Sequence, residues 1–502
     1  MPTLAVAPSV KTPGLYLTVL LLAAAQNPGL AANRALILAP KSSAGDITPD
    51  TEIRQCFGPD DVATALGEGT PGHLASKLLF ARFGNASLDV VAPTASGGAA
   101  ATATQTFSGT ATENSTLRVR IHGRLIDVAW NAGETAATFI TRYVATINAQ
   151  GADLFATAAD GGAGDVDFTA KVAGPWGNDV RLKVSVIEGG GGITISANPT
   201  ALTGGTTEPD FTTALALVAT RGYRRIIGVC SNADATSSSA TSNPGRINTH
   251  VNSLETGNEA KLQVFCIGHT GTIANVKTGA IAKNNEAGEY VFGQTFEDLP
   301  GELAAAEAGD ALRFIGIRAN YNRIGNALGL RGPEDVVGEK PTATEVEDLL
   351  SNGVTPINLR PLTNETFVVR PITTHSLNGV APDYRAFDLS DTDGMYTVAE
   401  DIRDNLPIEF ANTSITENAP AGTNRLPPGV VEIKDVKGWI LSRLGLWVDQ
   451  GVLDGARLET SVANDELTVE INALDPTQVD IFLPLSIVKP LAKFGVVAAK
   501  VA

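Results

Sequence analysis

The chain has 502 residues, enough for about three domains at roughly 150 residues each and for a sizeable buried core. Its 37 Lys and Arg stand against 54 Asp and Glu, and the net charge of -17 excludes a phosphate-binding surface over most of the molecule, so no nucleic-acid partner is expected. With 43% hydrophobic residues, 6% aromatics and 51 glycines it is neither a disordered polyanion nor a membrane bundle, and no direct membrane insertion is expected.

Leu15 to Ala25 (LYLTVLLLAAA) has about the length of a secretory h-region. The start before it, MPTLAVAPSVKTPG, carries one lysine and a Pro13-Gly14 turn, so we read the run as a retained apolar segment that is too short to span a bilayer. From Arg34 a short strand (ALILAP), helices beginning at Pro59 and Pro71, and a strand at Leu88 to Pro93 form a β-α-β start. Leu74, Ala75, Leu78, Leu79 and Arg82 mark the inward rows of the second helix.

The composition changes at Ser96 to SGGAAATATQT and changes back after LTGGTTEP ends at Pro209, which predicts two flexible joints bracketing an inserted domain. Within it, alternation on both sides of His122-Gly123 predicts a hairpin with a two-residue turn, and Phe139, Ile140, Tyr143, Val144 and Ile147 fall at helical spacing. Further strands are expected at 166–172, 180–187 and 193–197, with the glycine run 189–192 as a turn between the last two.

The α/β rhythm resumes at Phe211, with a helix into the strand RRIIGVC and another, through Val251 and Leu254, into KLQVFCIG, so the core is discontinuous. Beyond it we expect a strand at 312–317 and a helix at 344–351 with Thr344 and Glu347 as a capping box. An edge strand at 367–372 interrupted by Pro371, an apolar helix at 439–448 and a strand at 467–471 complete the pattern. The chain ends in a β-prone run, Phe494 to Val501, after Pro476, Pro484 and Pro490, and the last 26 residues reach up to roughly 85 Å if extended. Both ends therefore carry a strand able to pair outside the subunit.

Chemistry is sparse. There is no phosphate loop, nucleophile elbow or zincin motif, and Cys56, Cys230 and Cys266 have neither disulfide nor zinc spacing and read as core residues. Of His73, His122, His250, His269 and His375, only His269 follows a strand end where α/β enzymes place catalytic groups, and none has a carboxylate at triad spacing. No catalytic, cofactor or metal site is expected.

Several segments in order resemble the contractile tail sheath proteins of myophages, nearest the Mu-like type: PGLYLTV at the start, LLSNGVTPINL at 349–359, FVVRPITT at 367–374, RLPPGVVEIKDVKGWILSRLGLWVDQGVLDG at 425–455 and DIFLPLSIVKPLAKFGVVAAKV at the end. STLRVRIHGRLIDVAWNAGETAATFITRYVATINA and GPWGND look like that family's protruding β domain. The resemblance implies an α/β fold: a discontinuous subtilisin-like α/β core (34–95 and 210–340) with an inserted β-rich domain (96–209), a C-terminal sheath domain (341–476) and extended N- and C-terminal β arms (1–33 and 477–502). It implies a non-enzymatic homo-oligomer of hexameric rings stacked in a helical tube around a tail tube protein, with baseplate and tail terminator proteins as further partners. It also implies a place in the virion tail after assembly in the bacterial cytoplasm.

Carried onto this chain, the inter-subunit strands are Tyr16, Leu17, Thr18, Val19, Leu20 and Leu21 at one end, and Phe494, Gly495, Val496, Val497, Ala498, Ala499, Lys500 and Val501 at the other. Pro13, Gly14, Pro476, Pro484 and Pro490 read either as hinges of these arms or as residues that merely end strands. Two other readings stay open: a secreted or surface adhesin, cleaved near Ala25, and an α/β enzyme whose insert is a lid over His269.

Overall fold

The computed structural model describes residues 34–255, 260–315, 321–334, 339–417, 426–475 and 478–489. Its centre is an eight-stranded sheet. From one edge to the other the strands are Arg54–Cys56, Ser87–Val91, Arg34–Leu38, Arg225–Gly228, Val264–His269, Gly288–Phe292, Thr355–Leu359 and Thr366–Val368. The six inner strands run parallel and the two outer ones antiparallel. In the central four, nearly every residue is buried, because helices cover both faces and leave no wet side to alternate with.

On one face, Leu74, Ala75 and Leu79 of the Pro71–Arg82 helix and Ala304, Ala305 and Ala308 of the Pro300–Ile315 helix pack over Ala35, Ile37, Leu88 and Val90. On the other, the helices Thr212–Val218, Asn243–Leu254, Ile273–Lys283 and Ala343–Ser351 cover Leu36, Leu38, Ile226, Phe265, Ile267 and Tyr290. Ile226 and Ile227, adjacent in sequence, lie in opposite clusters, as the two-residue period of a strand requires.

Two expectations are corrected. Residues 312–315 end the Pro300–Ile315 helix and form no strand: PGELAAAEAGDAL starts with Pro in the first turn and continues in alanine, and the helix so begun runs on through the short apolar stretch at its end. The capping box lies two residues earlier, on Thr342 and Glu345, whose carboxylate accepts from the Thr342 N–H at 2.8 Å.

The insert leaves the core after Ser87–Val91 and returns at Phe211. It holds a four-stranded sheet (Ile193–Ala197, Thr102–Gly109, Asp165–Ala170, Ala156–Gly162) and a three-stranded one (Arg124–Trp130, Ser115–Ile121, Leu182–Glu188), with the Ala136–Asn148 helix between. Trp130 stacks on Phe139 at 4.2 Å, and Phe107 meets Trp130, Phe139 and Tyr143 edge-on. The two joints, expected to be flexible, are bound to each other: Thr102 and Thr203 exchange backbone hydrogen bonds at 2.8 and 2.9 Å. A Cβ at Gly98 would lie 1.9 Å from the Thr206 carbonyl oxygen, so only glycine lets the joints approach this closely.

The Leu389–Glu409 helix links the core to a C-terminal unit. Leu389 and Tyr396 belong to the core cluster, whereas Val398, Ile402 and Leu406 meet Val436, Ile440, Leu444 and Trp447 of the Ile433–Asp449 helix. The unit closes with the Gly455–Ala463 helix and an antiparallel pair, Thr468–Ile471 with Val479–Phe482. No helix among the described residues is long and apolar enough to cross a membrane.

Candidate functional site

Parallel strands bring their carboxyl ends to one edge, the place where open α/β sheets bind ligands. Here the insert sits on that edge. The indole N–H of Trp176 donates to the Val229 carbonyl at 3.0 Å, just past the Arg225–Gly228 strand. Asn232 donates from its backbone N–H and its amide to the two oxygens of Asp179, at 3.0 and 2.9 Å. GPWGND thus ends in a 3-10 turn, Pro175–Asp179, that places one aromatic and one carboxylate against the core.

His269 ends its strand at this edge, fully buried. Its Nδ1 accepts from the Gly271 N–H at 3.0 Å, which puts the proton on Nε2, 3.1 Å from the Thr236 hydroxyl. Burial pushes its pKa down to about 4, so the ring is neutral near pH 7. Both nitrogens are engaged and neither meets a carboxylate, so the geometry gives His269 a structural part.

A second contact joins the insert hairpin to the core. His122 and Gly123 both have positive φ, the two-residue turn expected from sequence, and the buried His122 ring reaches Glu302 in the first turn of the Pro300–Ile315 helix at 2.5 Å. Arg331 donates to the other Glu302 oxygen at 2.8 Å and to Asp298 at 2.6 Å, and Arg120 bonds Glu297 at 3.1 Å. Burial raises the Glu302 carboxyl, but the charges of His122 and Arg331 outweigh it and hold the group well below the usual range. Lys77 with Asp153 and Lys183 with Glu334 extend the seam outward.

A third cluster holds the C-terminal unit. The buried Arg225 guanidinium grips Asp393 with two bonds at 2.7 and 2.6 Å, Arg224 bonds Thr397 and Glu400, and Arg323 pairs with Glu307. Sequence reading did not single out these charges. Their signal was present in the consecutive arginines that open a buried strand and an aspartate in the first turn and a half of a helix, but nothing local shows that the two meet.

The strand pair Thr468–Ile471 and Val479–Phe482 is two strands wide, with no third strand on either edge among the described residues. The chain then passes Pro484 without regular structure. It is held to its own molecule by the Leu453–Ile487 bridge and by Lys489 on Asp391, so residues 478–489, expected as the start of an arm, are bound within the subunit. The remaining arm residues, 16–21 and 494–501, and Pro13, Gly14, Pro476 and Pro490 lie outside the described residues.

No family model matches the sequence, and no curated relative does. Among solved structures the chain is similar to a sheath tail protein from Listeria innocua, at 12% identity over 86% of this chain and 87% of that one, with a TM-score of 0.44. A sheath tail protein from Desulfitobacterium hafniense gives 14% identity, 91% and 93% coverage and a TM-score of 0.43. The contracted PVC sheath of an extracellular contractile injection system gives 12% identity, 98% of both chains and a TM-score of 0.48. All three are sheath proteins.

Proposed function

We propose that the chain is the structural subunit of a contractile tail sheath, built as stacked hexameric rings around a tail tube and shortening to drive that tube through a host envelope. The observation that carries the reading is the two-stranded pair, Thr468–Ile471 with Val479–Phe482, which has no third strand among the described residues and is followed within the same chain by the apolar run 494–501. The pair packs one face on the Ile433–Asp449 helix, and its two edges leave rows of unpaired backbone groups among the described residues. Strands from the arms of neighbouring subunits complete such a sheet.

The contact this makes is heterologous and need not close, which is what a helical tube requires. Each ladder bond contributes about 0.5–1.5 kcal/mol net, enough in sum to keep subunits joined while the stretch between arm and core bends. Contraction then runs from a metastable packing to one with more interface. At about 25 cal/mol per Å2, a few hundred Å2 of added apolar burial per subunit gives several kcal/mol, multiplied along the tail.

No enzymatic role is proposed, since both His269 nitrogens are engaged by hydroxyl and backbone groups and the insert occupies the sheet edge where a substrate would enter. Nothing in the structure favours the adhesin reading. The test is deletion of residues 493–502 with negative-stain microscopy of the purified product. The intact chain is expected to form tubes and the truncated chain soluble subunits; normal tubes from the truncation would refute arm exchange.

A further inference from the structure

At the point where the insert returns to the core, three side chains from separate segments converge. Glu208 lies on the returning joint, Cys230 just past the Arg225–Gly228 strand, and Asp234 in the short helix Asn232–Ala235. One thiol sulfur and two carboxylate oxygens lie within 4.8 Å of one another. Burial raises the pKa of both carboxyls.

Tyr290 supplies an independent observation. Wholly buried on the Gly288–Phe292 strand, it carries a hydroxyl with no hydrogen-bond partner, and its ring lies near the Asn232–Ala235 helix: a Cβ at Gly279 would stand 2.9 Å from Tyr290 Cε1 and 2.0 Å from the Ala235 carbonyl oxygen. A buried phenol thus stands near the helix that carries Asp234 without a protein atom to receive it, a costly arrangement unless something else is bound there.

The neighbouring cations are directed elsewhere. Lys283 donates to the Ser237 and Ser239 carbonyls and to the Ser242 hydroxyl, and Arg246 pairs with Asp210 at 2.8 Å. The carboxylates are held by donors: Ser231 N–H to one Glu208 oxygen at 2.9 Å, the Asn243 side-chain amide to the other at 3.4 Å, and Asn243 N–H to Asp234 at 3.1 Å. Such second contacts fix carboxylates that ligate a metal.

We propose that Glu208, Cys230 and Asp234 bind a divalent transition-metal ion of the zinc class. One soft sulfur and two hard oxygens in a small space suit zinc or cobalt and not the all-oxygen shell of calcium or magnesium. The ion releases the thiol proton to solvent, and it ties the insert joint to the sheet edge. This site is independent of arm exchange, so each proposal stands or fails separately.

The full-length chain, stripped with a chelator, is titrated with Co2+ as the spectroscopic probe and then with Zn2+. The expected result is equimolar cobalt uptake with a thiolate-to-cobalt charge-transfer band, displaced by zinc, and a Tm that rises with zinc concentration. Cys230→Ser should lose the band, and Glu208→Gln should weaken zinc at least about tenfold, each with an unchanged near-ultraviolet circular dichroism spectrum. If Cys230→Ser does not fold, Glu208→Gln alone decides. Absence of equimolar uptake, a band unchanged in Cys230→Ser, or unaltered affinity in Glu208→Gln overturns the proposal.

Discussion

The insert and the C-terminal unit are both appended to the same α/β core, yet they are joined to it in opposite ways. The insert shares one continuous apolar cluster with the core, from Phe107 and Trp130 through Trp176 to Val229, and its ionic contacts run along the whole seam. The C-terminal unit meets the core through the start of one helix, where Asp393 is gripped by Arg225. Beyond that point its cluster holds ten buried hydrophobics with eleven only partly buried against them, and Ile408, Leu446 and Leu474 stand exposed. A region sealed in this way behaves as one body with its support, whereas one that leaves apolar surface and open strand edges has capacity for neighbours.

The comparison can be broken at its most loaded point. Asp393→Ala leaves the Arg225 guanidinium buried without its carboxylate, with Arg224 and Arg323 close by, and is expected to cost about 5 kcal/mol in denaturant unfolding. At the insert seam, Glu302→Gln should cost about 3 kcal/mol in the same measurement, since His122 and Arg331 lose a shared anion. An equal or larger loss there would reverse the ranking of the two attachments.

The sheet edge under the insert sharpens the comparison through pH. The folded pKa of His269 is lowered to about 4 by burial, against an ordinary value of 6.5, so the unfolded chain takes up this proton first. Its contribution is fully present above about pH 6.5 and falls as the pH drops towards 4. His269→Gln should flatten that acid limb by on the order of 2 kcal/mol, read as Tm against pH. The smallest effect belongs to the open surface: Leu446→Ser, at a residue 49% exposed, should shift subunit stability by no more than about 0.5 kcal/mol. Reduced tube formation from this variant would assign that face to an inter-subunit contact.

Regular patterns carried most elements. The His122-Gly123 turn, the Ala136–Asn148 helix and the Ile193–Ala197 strand are where periodicity places them, because each depends on residues close in the chain. The end of the Pro300–Ile315 helix differs for the converse reason: the short apolar run at 312–315 carries no helical period of its own and is helical because the alanine-rich turns before it propagate into it. The expected joints were located by composition, but their pairing through Thr102 and Thr203 depends on strands distant in sequence.

By itself, then, the order of residues determined the alternation of strands and helices, the presence of an insert, the apolar run near each end and the absence of catalytic spacing, all properties of local composition and period. Only the tertiary structure decided that the insert closes the sheet edge, that Asp393 meets Arg225, that the Thr468–Ile471 pair has no third strand among the described residues and that Glu208, Cys230 and Asp234 converge. Contacts between residues far apart in the chain are set by how whole layers pack, and no local pattern records them.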